Sequence, residues 1–189
     1  MLNNLGTIYH IWQDYPQADM YYQQSLEICK EIGDQDGIAL ALNNLGELAT
    51  MQGDYLAAIR YSENALQIAE ELQENWTIVV CLNSLGEIYC AMGDLEKSKD
   101  YLWRAIRQAL EIQGMDLVAR VSVNAGRVLQ LQGDQPAAIA VLQAALAHSA
   151  TEHDAREKAL GFLAEMQAGN AIQADNRLLK AVIRKELNL

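Results

Sequence analysis

One five-residue phrase recurs along this chain at a fixed spacing of 40 residues. It reads LNNLG at 2–6 and again at 42–46, then LNSLG at 82–86 and SVNAG at 122–126. Positions in neighbouring copies can therefore be compared by subtracting 40, and the register holds through all four copies. A fixed period of this length is typical of a solenoid, in which each unit packs on its neighbours along the chain.

A second recurring element, glycine followed by aspartate, divides each copy into two predicted helices. It occurs as Gly53-Asp54, Gly93-Asp94 and Gly133-Asp134, and in the first copy as Gln13-Asp14. Glycine can adopt the positive φ that ends one helix, and aspartate can cap the free amides of the next. Pro16 falls in a first helical turn, where its missing N–H is harmless. We expect this turn in all four copies.

The glycine inside each phrase lies within a predicted helix, where it costs about 1 kcal/mol relative to alanine. Its return at one phase indicates a compensating close approach between the two helices of a unit. We expect the glycines to contact small residues on the second helix, in the pairs Gly6 with Ala18, Gly46 with Ala58, Gly86 with Ser98 and Gly126 with Ala138.

The composition favours helices and excludes some classes of partner. The chain is 51% apolar, with 2 prolines and 1 phenylalanine in 189 residues, so we predict an all-α fold with a continuous core. The net charge is -11, and residues 1–150 hold 8 Lys/Arg against 19 Asp/Glu. Such a surface repels phosphate backbones, so we expect no direct nucleic-acid binding and favour neutral or basic peptides as partners.

The cysteines and the apolar runs indicate a reduced, cytoplasmic protein. Cys29, Cys81 and Cys90 form no CxxC pair, and the sequence shows no leader peptide. No apolar run approaches the roughly 18 residues of a membrane span, so we expect no membrane partner. Each cysteine is interpreted as a small buried apolar residue.

Three features together resemble the tetratricopeptide repeat. They are L-G-x-x-Y at 5–9 and 85–89, the glycine-aspartate turns, and A-x-x-x-Y at 18–22. The match covers about residues 1–150. The period is 40 instead of 34, and the closing proline is replaced by Lys30, Glu70, Leu110 and Ala150. This long variety resembles the arrays of kinesin light chains and the C-terminal arrays of bacterial multidomain signal-transduction ATPases and regulators.

The resemblance implies a right-handed α-solenoid of four helix-turn-helix units followed by C-terminal capping helices. The predicted units span 1–34, with a truncated first helix, then 35–74, 75–114 and 115–150, and the capping helices span 151–189. In this family the concave wall, built from the first helix of each unit, is the usual ligand site. The geometry of the family implies that residues at fixed distances in sequence before and after the phrase glycine line that groove.

Ten residues at or near those positions are predicted to form a peptide-binding groove: Asn4, Asn44, Ser84, Asn124, Asn43, Asn83, Glu47, Glu87, Arg120 and Arg127. The two columns two and three residues before the phrase glycine, which also include Asn3, hold six of the eleven asparagines of the chain. Asparagine is unfavourable inside a helix, so we infer that the amides are used. A carboxamide can pair with both N–H and C=O of an extended peptide without reading its sequence.

Other interpretations of the asparagines stay open at this point. They could brace neighbouring helices, or be inherited by duplication without a use. On the groove hypothesis the charged members, Glu47, Glu87, Arg120 and Arg127, select the partner by charge. A clamp for a C-terminal carboxylate needs several basic residues in the groove, so we disfavour that subclass of relatives.

The two ends of the repeat region depart from the pattern. Asp36 is the predicted cap of the helix that carries Gly46, whereas Met1 lies only five residues before Gly6. We therefore expect the chain to be part of a longer protein. The alternative function is a sensor or oligomerisation arm of a larger bacterial regulator, with domains of the parent chain or a second copy as partners.

Beyond Ala150 we expect a helix over about 155–168, capped by Thr151 or Asp154, that seals the last unit. Its predicted apolar stripe is Ala159, Leu160, Leu163 and Met166. A final amphipathic helix carries Leu178, Leu179, Val182, Ile183 and Leu187, with a basic side of Arg177, Lys180, Arg184 and Lys185. It can cap the array, occupy an acidic groove as a pseudo-ligand, or lie on a membrane surface.

No catalytic, metal or cofactor motif is present in the sequence. There is no phosphate-binding loop, G-x-S-x-G or H-E-x-x-H, and His148 and His153 lie five residues apart across a predicted helix end. We therefore predict a binding protein, with no enzyme activity, metal or cofactor. Trp12, Trp76, Trp103 and most tyrosines are expected to pack in the core or between units.

Overall fold

The computed structural model of the chain describes residues 1–147 and 153–165, and every regular element in those ranges is an α-helix. The chain divides into two compact units, of which the first spans Met1–Met92 and the second begins at Gly93. The first unit contains α1 (Leu2–Ile11), α2 (Tyr15–Ile32), α3 (Gln35–Met51), α4 (Tyr55–Leu72) and α5 (Asn75–Ala91). The second contains α6 (Leu95–Glu111), α7 (Met115–Leu131), α8 (Gln135–Ala147) and α9 (His153–Glu165).

The helices of the first unit form two layers. Each helix packs on the next one along the chain, from α1 to α5. In addition, α3 contacts both α1 and α5, so these three helices lie side by side in one layer. In the second unit, successive helices from α6 to α9 also pack together, and α9 lies against both α7 and α8. The predicted all-α architecture of stacked helix pairs is confirmed, and this layering brings the first helices of neighbouring repeats together.

The glycine-aspartate turns form as predicted. Gly53, Gly93 and Gly133 have φ of 79°, 82° and 86°. Gln13 replaces glycine in the first repeat and still adopts φ of 61°. The aspartate that follows accepts a hydrogen bond from a backbone N–H three residues on, for example from Ala57 to the Asp54 carboxylate at 3.0 Å. The chemistry of the turn therefore sets where each second helix begins.

The turns between repeats include two residues that are not glycine, and the cap of α3 differs from the prediction. Gly33 has φ of 71°, but the equivalent turns use Gln73 and Gln113, with φ of 58° and 57°. The side chain that caps α3 is Asp34, which accepts from the Gly37 N–H at 3.0 Å, and not Asp36, which lies in the first helical turn. The capping prediction was wrong because Asp34 stands directly before the helix, where its carboxylate reaches the free amides.

Three of the four phrase glycines, Gly6, Gly46 and Gly126, face a side chain one turn farther along the second helix than predicted. The side chains nearest to them are Tyr22 for Gly6, Ser62 for Gly46 and Leu142 for Gly126. A Cβ atom on Gly46 would lie 2.5 Å from Ser62 Oγ and 3.2 Å from the Ala58 carbonyl oxygen. Side chains on a helix lean toward its N-terminus, so the space opposite glycine is filled from the next turn. The predicted small partners, Ala18, Ala58, Ser98 and Ala138, are all fully buried.

Two of the three tryptophans are more exposed than predicted. Trp103 is buried, but Trp12 and Trp76 are 69% and 48% exposed. Both lie near a helix terminus, where neighbouring helices cover less of a large side chain. Their assignment to the core or to an interface between repeats is therefore corrected. Of the cysteines, Cys81 is buried, and Cys29 and Cys90 are half-buried.

The helix that seals the last repeat begins earlier than expected. α9 starts at His153 instead of residue 155, so Asp154 lies inside it and is not its cap. Ala155 and Ala159 bury themselves against Val123, Leu142 and Ala145. Leu160, assigned to the apolar stripe, is 52% exposed. The predictions for Thr151, for Met166 and for the final basic helix lie outside the described residues.

Candidate functional site

The ten predicted groove residues lie on the first helices of the repeats. In the first unit, Asn4 is on α1, Asn43, Asn44 and Glu47 are on α3, and Asn83, Ser84 and Glu87 are on α5. In the second unit, Arg120, Asn124 and Arg127 are on α7. Because α1, α3 and α5 lie side by side, the layering places seven of the ten in one layer of helices. We call these seven residues, with Asn3 of α1, the first-helix wall.

The wall residues differ in how far they can reach solvent. Asn4 is exposed, and Asn44, Asn83, Glu47 and Glu87 are half-buried. Asn43 and Ser84 are each only 2% exposed, so they lie beneath the surface of the wall. In the second unit, Arg120, Asn124 and Arg127 are half-buried.

Hydrogen bonds join the first helices across the wall. Asn44 Nδ2 donates to Asn3 Oδ1 at 3.0 Å, which connects α3 to α1. Asn43 Nδ2 donates to Glu47 Oε1 at 3.1 Å within α3. The same oxygen accepts from Ser84 Oγ of α5 at 3.2 Å. These contacts show that part of the asparagine and serine set braces neighbouring helices.

The Glu47 carboxylate is therefore held at a junction between α3 and α5. Two donors fix one of its oxygens, while its side chain stays half-exposed on the wall. A carboxylate oriented by hydrogen bonds loses little further conformational entropy when it binds a cation or an N–H group. Its charge also acts on the buried Cys81, whose pKa rises to about 12 through burial first and through Glu47 and Glu70 next.

A polar chain continues from the wall into the first helix pair. Thr7 Oγ1 donates to the Asn3 carbonyl oxygen at 3.1 Å, and Tyr22 Oη donates to Thr7 Oγ1 at 3.4 Å. Burial raises the pKa of Tyr22, and the Thr7 hydrogen bond opposes that shift. The ring of Tyr22 thus fills the space next to Gly6. Its hydroxyl group forms a hydrogen bond with Thr7 at the edge of the wall.

Two buried polar atoms of the predicted set have no hydrogen-bond partner within the described residues. They are Asn43 Oδ1 in the first unit and Arg120 Nε in the second. A buried polar atom without a partner costs about 1–3 kcal/mol. Asn43 and Arg120 therefore bury polar atoms at a cost in folding free energy that an apolar residue at the same position would not have.

The second unit places α9 against the groove face of α7. Arg127 lies over the Phe162 ring of α9, with its guanidinium carbon 4.9 Å from the ring centroid. Arg127 Nη1 also donates to Gln130 Oε1 at 2.9 Å. The sequence analysis did not predict a role for Phe162, because the 40-residue pattern was followed only to Ala150. The pattern does continue at one position: Ala159 lies 40 residues after the buried Ala119 of α7. This match could have indicated that α9 packs like a further first helix.

The sequence profile of the tetratricopeptide repeat family matches residues 1–71 and 78–150. Those two segments cover most of the chain. The chain belongs to the tetratricopeptide repeat family. The family resemblance drawn from the glycine, tyrosine and turn positions is thereby confirmed, and tetratricopeptide arrays are in general scaffolds for protein–protein interaction.

A solved tetratricopeptide structure gives the same fold. The crystal structure of BtubC (BKLC) from P. vanneervenii superposes with a TM-score of 0.71 and 21% sequence identity. The match covers 99% of this chain and 80% of the other. At this identity the likeness concerns the fold alone. A comparison with curated proteins found no match.

Metal-binding groups are absent from the described part of this tetratricopeptide chain. Among these residues no group of three or more histidine, cysteine, aspartate or glutamate side chains is placed to hold a metal ion. The pair His148 and His153 lies outside the residues whose side chains are described. No helix within residues 1–147 and 153–165 combines the length and the apolarity needed to cross a bilayer.

Proposed function

We propose that this tetratricopeptide protein binds an extended peptide or protein segment along the first-helix wall. The observation that carries the proposal is the row of half-exposed polar side chains on three adjacent helices, centred on Glu47 and Asn44 of α3. An extended main chain offers alternating donors and acceptors, and side chains of this kind can pair with both.

The wall divides into supporting and contacting residues. Asn43 and Ser84 support, because they are buried and hold the Glu47 carboxylate. Asn4, Asn44 and Asn83 contact the ligand in this proposal, since their side chains reach the surface. In this proposal the asparagine columns combine the bracing interpretation, which the contacts of Asn44 with Asn3 support, with the recognition interpretation.

Charge favours neutral to basic partners. The wall of the first unit carries Glu47 and Glu87 among uncharged polar side chains, and the whole chain carries a net charge of -11. A lysine or arginine of the ligand that reaches Glu47 meets a carboxylate already oriented by Asn43 and Ser84. In the second unit, Arg120, Asn124 and Arg127 of α7 stay predicted ligand-binding residues of that unit.

Apolar side chains border the wall and define a second property of the ligand. Ile11 ends α1 and Met51 ends α3, at equivalent positions five residues after the phrase glycine, and both are exposed. Each can cover an apolar side chain of a ligand whose main chain runs along the amides. We infer that the bound segment presents both basic and apolar side chains.

The proposal is tested with a fluorescein-labelled peptide in which lysine alternates with serine and leucine, titrated with the full chain by fluorescence anisotropy. The variant Glu47→Gln should weaken binding about tenfold, which corresponds to about 1.4 kcal/mol. The matched control is Glu63→Gln, which removes the same charge from an exposed position on α4 and should leave the affinity unchanged. Equal losses in both variants, or no binding by the unmodified chain, would overturn the proposal.

The alternative function, a sensor or oligomerisation arm of a larger regulator, predicts a different result. In that case the surface engages a folded domain, and the extended peptide does not compete. If the peptide binds and Glu47→Gln weakens that binding about tenfold, the result favours the peptide-binding function over the sensor or oligomerisation arm.

A further inference from the structure

Trp76 is an exposed aromatic residue on the same side of α5 as the first-helix wall. It lies near the start of α5 and is 48% exposed. Asn83 and Glu87 follow it seven and eleven positions later, spacings that return to the same side of an α-helix. Both of these residues are half-buried members of the wall. The wall therefore includes a large aromatic surface at the amino-terminal end of α5.

Asp36 occupies the equivalent position on α3, 40 residues before Trp76, and its side chain is exposed. Two hydrogen bonds of the wall join residues 41 and 37 positions apart, so equivalent positions of neighbouring first helices lie at the same level. Because α3 and α5 also lie side by side, Asp36 and Trp76 occupy neighbouring positions. We call these two residues the amino-terminal pair.

The charge of the first unit favours a cationic group at this pair. The unit, Met1–Met92, holds 13 Asp/Glu and 2 Lys/Arg and so accounts for the whole net charge of -11. Its two basic residues, Lys30 and Arg60, lie on α2 and α4. The helices α1, α3 and α5 that form the wall therefore carry carboxylates and no lysine or arginine.

The dipoles of α3 and α5 do not reverse this preference. The amino terminus of each helix carries a partial charge of about +0.5. Asp34 and Glu74 stand directly before the two helices, and Asp36 lies in the first turn of α3. Three full negative charges thus outweigh the two partial positive ones, and the amino-terminal pair stays attractive to a cation.

An indole ring beside a carboxylate suits a guanidinium group in particular. The face of tryptophan attracts a cation, and arginine is the commoner partner because its planar group stacks on the ring. A carboxylate can accept two parallel hydrogen bonds from the same guanidinium. The ammonium group of lysine gains the charge attraction without the stacking. The amino-terminal pair can therefore distinguish arginine from lysine.

We propose that Asp36 and Trp76 form a subsite for an arginine side chain of the segment bound on the first-helix wall, an inference that rests on the peptide-binding function proposed above. Trp76 lies about 10 Å along α5 from Asn83, a separation that an arginine side chain and the indole ring bridge between them. The subsite narrows the ligand class from basic segments to segments that contain arginine.

The proposal is tested with two fluorescein-labelled peptides, the lysine, serine and leucine peptide described above and the same peptide with arginine in place of every lysine. Fluorescence anisotropy with the full chain should show at least about threefold tighter binding of the arginine peptide, the gain expected for one exposed cation–π contact. Trp76→Leu should bind the two peptides equally. Trp76→Phe, which keeps a smaller aromatic face, should retain part of the preference.

A pair of charge variants tests the carboxylate of the subsite. Asp36→Asn should weaken the binding of the arginine peptide about threefold, within the range of an exposed ion pair. The matched control is Asp19→Asn, which removes the same charge from an exposed position on α2 and should leave the affinity unchanged. Circular dichroism of Trp76→Leu should match that of the unmodified chain, because the replaced side chain is half-exposed.

The outcomes separate the subsite from the wall. If both peptides bind the unmodified chain equally, or if the arginine preference survives Trp76→Leu, the subsite is overturned. The peptide wall stands in that case as long as Glu47→Gln still weakens the binding of both peptides. Failure of both peptides to bind would overturn the wall and the subsite together.

Discussion

Asn44 donates a hydrogen bond to Asn3 at 3.0 Å, and this contact between residues 41 positions apart joins the first helices of two adjacent repeats. The two residues belong to adjacent columns of the repeated phrase. The bond shows one physical use for asparagine inside a helix: its amide reaches sideways to the next repeat. The same orientation leaves Asn44 half-exposed on the first-helix wall.

The first prediction concerns this bond. Asn44→Ala should lower the free energy of unfolding by about 1 kcal/mol, the usual net value of one partly buried hydrogen bond. Asn4→Ala, at an exposed position of the same wall, should change it by less than about 0.5 kcal/mol. Urea denaturation followed by circular dichroism measures both. If the double variant of Asn3 and Asn44 lost the sum of the two single losses, the bond would contribute nothing.

The second prediction concerns the left-handed glutamines. Gln73 ends α4 with φ of 58°, a conformation that costs a non-glycine residue about 1 kcal/mol. Gln73→Gly should therefore raise the free energy of unfolding by about 0.5 kcal/mol or more after the entropy cost of glycine. Gln52, at the end of α3, has φ of -83°, so Gln52→Gly should lower it. Thermal melts of the two variants should shift in opposite directions, and a shift in the same direction would refute the strain argument.

The third prediction concerns the phrase glycine. Gly46→Ala places a methyl group 2.5 Å from Ser62 Oγ and should cost about 1–3 kcal/mol. Gly161 of α9 has nothing within 4 Å of the same position, so Gly161→Ala should stabilise the helix by about 0.5–1 kcal/mol. Chemical denaturation of both variants makes the comparison. A neutral effect at Gly46 would show that the helices can separate at no cost.

These glycines also show which parts of the structure were predictable from the sequence. The glycine period and the aspartate caps depend on local backbone chemistry, so the helix pairs and their turns could be predicted. Burial depends on neighbouring elements, and it differs within one column: Asn43 is buried and Asn83 is half-buried. The left-handed turn at Gln73 has no glycine signal, and the contact of Phe162 with Arg127 requires the helix α9 to be placed first.

The fourth prediction concerns Cys81, whose pKa is raised to about 12 by burial and by the charges of Glu47 and Glu70. At pH 8 the folded protein should expose only the half-buried Cys29 and Cys90 to a thiol reagent such as Ellman's. Cys81 should react only after unfolding, since its thiol is protonated and inaccessible.

The raised pKa of Cys81 also predicts how the stability of the fold depends on pH. The ordinary thiol pKa is 9.0, so the neutral buried thiol contributes its full stability below that pH. The contribution falls as pH rises from about 9 toward 12, because the unfolded chain then releases a proton that the folded chain retains. The free energy of unfolding of Cys81→Ala should therefore fall less between pH 9 and 12 than that of the unmodified protein. An identical pH profile for both proteins would contradict the assignment.

The most direct test of the peptide-binding wall is a photo-crosslinking measurement with the lysine, serine and leucine peptide. A benzophenone amino acid replaces either Asn4, exposed on α1, or Asn64, exposed on α4, and the adducts are identified by intact mass. The account predicts a peptide adduct from position 4, none from position 64, and loss of the adduct when Glu47→Gln is added. Adducts of equal yield from both positions, or from position 64 alone, would contradict it.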